Sequence, residues 1–153
     1  NAKDIFVEHL NTLAQYAKQK SVKLLVENNV CTKGNANRFS RSPFLFSDFN
    51  ESIELVSALP EDVGVLIDIA HLYVSSKTLG YDPQQLVNRI SDRMYGSHIS
   101  SNNGLVDSNK ALTTDSPLLQ LIKPDLEFYT LEVYDYSPVT LTQSADLLDK
   151  IIR

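Results

Sequence analysis

The run VGVLID, residues 63–68, is the stretch that decides the fold. Its first five residues are apolar or glycine, without the alternation of apolar and polar residues that marks a strand with one face in water. A short continuous run of this kind is typical of a parallel strand that is covered on both faces. The run ends at Asp68, so the predicted strand carries a carboxylate at its C-terminal end.

Three more short apolar runs lie along the chain, and helical patterns separate them. We predict the other strands at residues 22–27 (VKLLVE), 95–100 (YGSHIS) and 128–133 (FYTLEV). Apolar residues at helical spacing predict helices at residues 2–20, about 50–59, from Asp82 onward, 116–122 and about 142–152. One helix followed by four βα units predicts an α/β fold with a parallel sheet and right-handed crossovers.

The composition of the 153-residue chain is that of one globular domain, because 42% of its residues are apolar and 22% are charged. The net charge of −5 gives no overall basic field for binding nucleic acid. No apolar run reaches the roughly 20 residues of a membrane span, so we expect no membrane partner. The single cysteine, Cys31, excludes an internal disulfide, and we predict a reducing, cytoplasmic location.

Each of the four predicted strands has a residue at or near its C-terminal end that can bind a metal or move a proton. These residues are Glu27, Asp68, His98 and Glu132. Because the C-terminal ends of parallel strands meet at one rim, we expect the four side chains to lie together. Two glutamates, one aspartate and one histidine make a mixed nitrogen and oxygen ligand set, which suits Mn²⁺, Co²⁺, Zn²⁺ or Mg²⁺.

Each of these residues also has an ordinary structural explanation. Either glutamate alone is more often a solvated carboxylate at the end of a strand. Asp68 alone could simply cap the next helix, and His98 alone is more often a hydrogen-bonded histidine than a ligand. Their recurrence at four consecutive strand ends favours a functional site over four independent coincidences.

Four sequence motifs, in this order, resemble those of a known superfamily. They are LLVEN at residues 24–28, LIDIAH at 66–71, HIS with NGLVDSN behind it at 98–109, and LEVY at 131–134. Together they resemble the C-terminal half of the xylose isomerase-like TIM barrels, which include sugar and sugar-phosphate isomerases, ketose 3-epimerases and endonuclease IV. The resemblance implies a single half-barrel unit over residues 1–153, with the leading helix followed by strands five to eight of a (β/α)₈ barrel.

The resemblance also implies roles for individual residues. The implied metal ligands are Glu27, Asp68, His98 and Glu132. In the epimerases the residues that correspond to Glu27 and Glu132 also transfer protons, and the one that corresponds to His71 contacts the substrate. We therefore expect Glu27 and Glu132 to be catalytic and His71 to bind the substrate.

The loop after the third strand departs from the pattern of these relatives. Asp107-Ser108-Asn109 stands where many of them have Asp-x-His, and asparagine is a poorer ligand for transition metals. A three-zinc site of the endonuclease IV type is therefore not expected. The 3-epimerases also use an arginine in this region, whereas Lys110 is the only cation of this loop. We include Asp107, Asn109 and Lys110 among the expected substrate-binding residues.

The expected function is that of a metal-dependent sugar or sugar-phosphate isomerase or epimerase, acting by proton transfer through a metal-stabilised enediolate. An endonuclease IV-like metal-dependent phosphodiesterase and a non-catalytic half-barrel remain as alternatives, and a hydride shift remains as a variant of the isomerase mechanism. A basic segment with Lys33, Arg38 and Arg41 either binds an anionic group of the substrate or is a solvated loop.

The length of the chain bears on its partners. A complete barrel needs about 250 residues, and half of one leaves two open apolar sheet edges that favour pairing. We therefore expect the chain to be part of a longer one. Besides a small sugar or sugar phosphate, its expected partner is the missing N-terminal half-barrel or a second copy.

Overall fold

The computed structural model describes residues 1–134 and 137–153. In these ranges the chain forms four strands: β1 (Leu24–Glu27), β2 (Val63–Asp68), β3 (Met94–Ile99) and β4 (Phe128–Leu131). It also forms six α-helices: α1 (Ala2–Gln19), α2 (Lys33–Phe39), α3 (Phe49–Ala58), α4 (Ile69–Leu79), α5 (Pro83–Ile90) and α6 (Pro138–Ile152). Short 3₁₀ helices lie at Ser91–Arg93 and Leu119–Leu121. None of the helices found in these ranges combines the length and the apolar character that a membrane span requires.

The strands form one parallel sheet in the order β1-β2-β3-β4, which is also their order along the chain. The predicted α/β fold with a parallel sheet is therefore confirmed. The register places Glu27 opposite Leu66 and Asp68 opposite His98. In the next pair of strands, His98 lies opposite Thr130. Side chains of paired residues point to the same face of a sheet, so this register decides which residues can meet.

The two faces of the sheet are covered differently. On one face Val65, Ile67 and Ile99 are completely buried beneath helices. We call this side of the sheet the helix-covered face. Alternate residues point to the opposite face, which we call the inner face. It carries Leu25, Glu27, Leu66, Asp68, His98, Phe128 and Thr130. Thr130 and Phe128 are exposed, so the inner face is open to solvent along β4.

Glycines on the two central strands make room for large side chains on the inner face. A Cβ atom on Gly96 would lie only 2.3 Å from Cζ of the Phe128 ring. A Cβ atom on Gly64 would lie 2.5 Å from Cδ2 of Tyr95 and 2.7 Å from Cδ2 of Leu25. The absence of a side chain at these two positions therefore leaves room for Leu25 and Phe128 of the outer strands and for Tyr95 of β3.

Three helices begin at an aspartate with extended backbone. Asp48, Asp68 and Asp82 are the N-caps of α3, α4 and α5, and their carboxylates accept hydrogen bonds from main-chain N–H groups of the first turn. Asp68 is both the last residue of β2 and the cap of α4. The end of the strand and the start of the helix are thus fixed by one residue.

Most of the predicted elements are present, and two helices were missed. The helices predicted at residues 2–20, about 50–59 and from Asp82 correspond to α1, α3 and α5. No helix was predicted at residues 69–79, where α4 forms. Six residues of α4 are buried, so its apolar residues do not show the one-sided spacing of a surface helix. The missed α2 is short and has no buried residue, and the Thr32 cap is its clearest signal.

Three predicted boundaries were wrong near the C-terminus. The helix predicted at residues 116–122 is only a 3₁₀ turn at Leu119–Leu121, in which Leu121 is buried. The last helix begins at Pro138 rather than near residue 142, because proline suits the first turn of a helix. Glu132 was predicted inside the fourth strand, and it directly follows β4.

Candidate metal centre

Four side chains that can bind a metal converge at the C-terminal end of the sheet. Glu27, Asp68, His98 and Glu132 each offer one ligand atom, and these atoms all lie within 4.8 Å of one another. They are the four residues that the sequence placed at successive strand ends. Each comes from a different strand or its end, so the cluster depends on the sheet being assembled.

The register of the sheet explains why these residues meet. Asp68 and His98 are directly paired on the two central strands. Glu27 pairs with Leu66, two residues before Asp68, and therefore points to the same face. Glu132 follows Thr130 by two residues, and its main-chain N–H donates to the carbonyl oxygen of Ile99 at 3.0 Å, which continues the strand pairing. All four side chains thus project from the inner face.

Asp68 is the most deeply buried member of the cluster. Its side chain is completely inaccessible to solvent, and Oδ1 accepts a hydrogen bond from the main-chain N–H of His71 at 2.8 Å. Burial raises the pKa of the Asp68 carboxyl to about 6, although the positive charge of His71 opposes this shift. Its other oxygen, Oδ2, is buried and has no hydrogen-bond partner among the described residues. Nε2 of His71 lies 4.0 Å from Oδ2, beyond hydrogen-bond distance, so this oxygen can still bind a further cation.

His98 gives a second observation of the same kind. Its Nδ1 lies 3.2 Å from Oε1 of Glu27 and 3.0 Å from Oε2 of Glu132. The orientation nevertheless gives this buried nitrogen a hydrogen bond to neither oxygen. A nitrogen that converges with two carboxylates without donating to either has the arrangement of ligands around a shared cation. Together with Asp68 Oδ2, this arrangement indicates that these residues can hold a metal ion.

His71 lies beside the cluster, in the first turn of α4. Its Nδ1 lies 2.9 Å from the carbonyl oxygen of Asn28, and its Nε2 lies 3.1 Å from Oδ2 of Asp107. A carbonyl oxygen can only accept, so Nδ1 carries a proton. Burial alone would lower the pKa of His71, but the hydrogen bond to Asp107 and the charge of Asp68 outweigh it and raise this pKa to about 9. His71 is therefore a cation at neutral pH.

The three predicted loop residues lie at different distances from this arrangement. Asp107 joins it through His71, and its Oδ1 is buried without a hydrogen-bond partner in the described part of the chain. Asn109 is buried in a left-handed conformation, with φ of 42°, and its carbonyl oxygen accepts from the N–H of Tyr134 at 2.9 Å. Lys110 pairs through its main chain with Ser101, and its side chain is exposed.

One residue of the site was missed by sequence reasoning. Asn28 directly follows Glu27 and is buried, with 4% of its surface exposed. Its side-chain amide makes two hydrogen bonds to the main chain of Asp68. The only sequence signal was an amide residue directly after a candidate ligand at the end of a strand.

The family of the chain follows from comparison with known proteins. The sequence profile of the xylose isomerase-like TIM barrels matches residues 1–125. The chain belongs to this family. This match confirms the resemblance seen in the sequence motifs. A search of curated proteins gives no match.

Solved structures of this architecture are similar to the chain at low sequence identity. A D-tagatose 3-epimerase-like protein matches with a TM-score of 0.70 and 17% identity over 98% of this chain and 54% of its own. A protein from Thermus thermophilus, solved after soaking with ZnCl₂, matches with a TM-score of 0.64 and 20% identity over 94% of this chain and 52% of its own. A candidate xylose isomerase from Rhodospirillum rubrum matches with a TM-score of 0.60 and 19% identity over 98% of this chain and 51% of its own.

These matches define how much of the barrel the chain contains. The chain spans about half the length of each of the three structures. Its four parallel strands with their helices therefore correspond to half of a TIM barrel. The open inner face agrees with this, because in a complete barrel the inner face surrounds the barrel axis.

Proposed function

We propose that this chain supplies the metal centre of a sugar or sugar-phosphate isomerase or epimerase, which acts by proton transfer when its barrel is complete. The observation that carries this proposal is the convergence of four ligand atoms within 4.8 Å on the inner face. The membership of the chain in the xylose isomerase-like family supports it, as does its similarity to a D-tagatose 3-epimerase-like protein.

The residues that would hold the metal are Glu27, Asp68, His98 and Glu132. A divalent ion at this position would polarise a carbonyl or hydroxyl group of the substrate. Asp68 and His98, on the central strands, would define the position of the ion. Glu27 and Glu132 come from the two outer strands, and their side chains are 38% and 34% exposed. Their exposure leaves them able to reach a substrate as well as the ion.

The two glutamates would perform the proton transfer. Glu27 on β1 and Glu132 directly after β4 come from the two ends of the strand order, so they can approach a bound sugar from two directions. One carboxylate would remove a proton from a carbon next to the carbonyl group, and the same or the other glutamate would return a proton. His71, whose Nδ1 lies 3.9 Å from Oε1 of Glu27, would contact the substrate beside this glutamate.

Three loop residues would complete the substrate contacts in this proposal. Asp107 fixes Nε2 of His71, and Asn109 holds the same loop against the segment after β4. The exposed Lys110 would bind an anionic group of the substrate.

We retain the cytoplasm as the proposed location, because the only cysteine, Cys31, is buried and free.

Proton exchange in heavy water tests this function. The full-length protein, loaded with Mn²⁺ or Zn²⁺, is incubated in D₂O with a panel of ketoses and ketose phosphates, and the sugars are analysed by mass spectrometry. We expect deuterium next to the carbonyl group of at least one sugar. Glu132→Gln should abolish this exchange, whereas Cys31→Ser, a control outside the cluster, should not.

The same preparation distinguishes the two alternatives. Cleavage of an abasic DNA duplex without deuterium uptake by any sugar would replace the isomerase with a phosphodiesterase. Binding of metal with neither reaction would indicate a half-barrel without catalytic activity. The overall negative charge of the chain argues against DNA as the substrate.

A further inference from the structure

We propose that Asn28 is a positioning residue, which holds Asp68 and His71 in fixed relation to Glu27 so that the metal ligands meet. This inference rests on the proposed metal centre. Asn28 Oδ1 accepts a hydrogen bond from the main-chain N–H of Asp68 at 2.7 Å, and Nδ2 donates to the main-chain carbonyl oxygen of Asp68 at 3.0 Å. The carbonyl oxygen of Asn28 itself lies 2.9 Å from Nδ1 of His71.

The position of Asn28 in the sheet shows what these bonds replace. Pairing of β1 with β2 ends at Glu27 and Leu66, so the regular main-chain ladder does not reach Asp68 on this side. A primary amide carries one acceptor oxygen and a donor nitrogen, like a peptide group. The side chain of Asn28 therefore acts as an additional rung of the ladder, made by a side chain rather than by the main chain.

This arrangement leaves the carboxylate of Asp68 available. Both main-chain groups of Asp68 are bound by one neutral side chain, so Asn28 fixes the main chain of Asp68 without engaging its carboxylate. Oδ1 then caps α4, and Oδ2 makes no hydrogen bond among the described residues. A charged residue at position 28 would add another charge next to three carboxylates, whereas an amide adds none. Asn28 is also covalently joined to Glu27, so the amide ties the ligand of β1 to the ligand of β2.

Asn28 also fixes the position of a second residue, His71. Because a carbonyl oxygen cannot donate, Asn28 requires that Nδ1 of His71 be protonated. The ring is then oriented with Nε2 toward Asp107. Fixing the ring in this way resembles the hydrogen bonds by which outer groups orient metal-site residues, whose loss typically lowers metal affinity about 10–100-fold.

Cobalt binding tests the role, with a matched control in the same pair of segments. Ser75 also joins the loop after β1 to α4 by two hydrogen bonds, from the N–H of Cys31 at 2.8 Å and to the carbonyl oxygen of Asn29 at 3.3 Å. It is fully buried and lies outside the four-residue cluster. Asn28→Leu, Asn28→Ser and Ser75→Ala in the full-length protein are titrated with Co²⁺ by calorimetry and visible absorption, and their melting temperatures are measured without metal.

We expect both Asn28 variants to bind Co²⁺ about 10–100-fold more weakly and to change the cobalt spectrum. Ser75→Ala should lower the melting temperature and leave affinity and spectrum unchanged. If Asn28→Leu fails to fold, the smaller Asn28→Ser substitution still decides the result. Wild-type affinity and spectrum in the Asn28 variants would overturn the positioning role alone. A wild-type protein that takes up no Co²⁺ would overturn the proposed function, and the positioning role with it.

Discussion

The two faces of the same sheet are built for different purposes. On the helix-covered face, Val65, Ile67 and Ile99 are completely buried. On the inner face, the same strands carry Asp68 Oδ2 and His98 Nδ1, which are buried without hydrogen-bond partners in the described part of the chain. Consecutive residues of one strand, such as Ile67 and Asp68, therefore serve the core and the proposed metal centre respectively. Because the side chains alternate, we expect substitutions at neighbouring positions to affect either stability or metal binding.

Ile67→Ala should give the largest change in stability. The side chain is completely buried on the helix-covered face, and its removal should lower the free energy of unfolding by about 2–5 kcal/mol. Leu66→Ala, one residue earlier and half-buried on the inner face, is the matched control and should cost less. Urea unfolding curves measure both. An equal loss in the two variants would contradict the division between the faces.

Asp68→Asn should affect metal affinity strongly and stability little, which is the opposite of Ile67→Ala. The amide keeps an oxygen that can accept from the N–H of His71, so α4 retains its cap. It removes a negative charge whose burial raises the pKa of Asp68 to about 6 even though Nε2 of His71 lies 4.0 Å from Oδ2, so the metal-free protein should be at least as stable as the wild type at neutral pH. Its affinity for Mn²⁺ should fall by more than about 100-fold. That is the upper end of the loss that typically follows when a residue that supports a metal ligand is replaced.

Calorimetric titration with Mn²⁺, beside a melting curve without metal, checks both parts of this prediction. Asp82→Asn is the control, because Asp82 caps α5 away from the cluster. It should leave Mn²⁺ affinity unchanged. A large loss of stability in metal-free Asp68→Asn would show that Asp68 is a structural cap first, and that the inner face also supports the fold.

The sequence predicted the strand ends well, for a physical reason. In a parallel sheet the C-terminal ends of all strands share one rim, so Glu27, Asp68 and His98 were placed together without knowledge of their distances. Glu132 was assigned to the same rim even though it directly follows β4 rather than lying within it. The topology fixes these positions more strongly than the exact strand boundaries do.

The remaining features depend on contacts that a sequence pattern does not contain. The buried helix α4 lacks the one-sided apolar spacing by which surface helices are recognised. The two hydrogen bonds between Asn28 and Asp68 join residues 40 positions apart, and they form where the pairing of β1 with β2 ends. The contact between His71 and Asp107 depends on the path of a long loop. The spacing of apolar residues along the sequence carries no information about any of these three features.

Gly96→Ala should have an intermediate effect on stability, because it disturbs the inner face without touching a candidate ligand. The added Cβ would lie 2.3 Å from the Phe128 ring, which must then move. Overpacking of this kind typically costs about 1–3 kcal/mol. The ring is 41% exposed, so it has room to move, and we expect a loss near the lower end of that range.

A double-mutant cycle with Phe128→Leu identifies the source of this cost. If the clash with the ring is responsible, Gly96→Ala should cost clearly less in the Phe128→Leu background, as measured by urea unfolding. Equal costs in both backgrounds would place the effect in the backbone of β3 instead. The comparison then tells whether inner-face packing between β3 and β4 contributes to stability.

Leu13→Lys should have the smallest effect on stability and a clear effect on association. Leu13 is 51% exposed on α1, the helix that also carries the exposed Ile5 and Tyr16, and exposed apolar residues on one element typically mark an interaction site. We propose that this surface packs against the other half-barrel, so the substitution should change the free energy of unfolding of the isolated chain by no more than about 0.5 kcal/mol.

Leu13→Lys should weaken self-association of the isolated chain, or its binding to a separately produced N-terminal half-barrel, measured by sedimentation velocity over a range of concentrations. Gln15→Lys is the control, because it adds the same charge at an exposed polar position of the same helix. Equal association of wild type and Leu13→Lys would exclude α1 from the interface, and closure of the barrel would then have to depend on the edges of β1 and β4 alone.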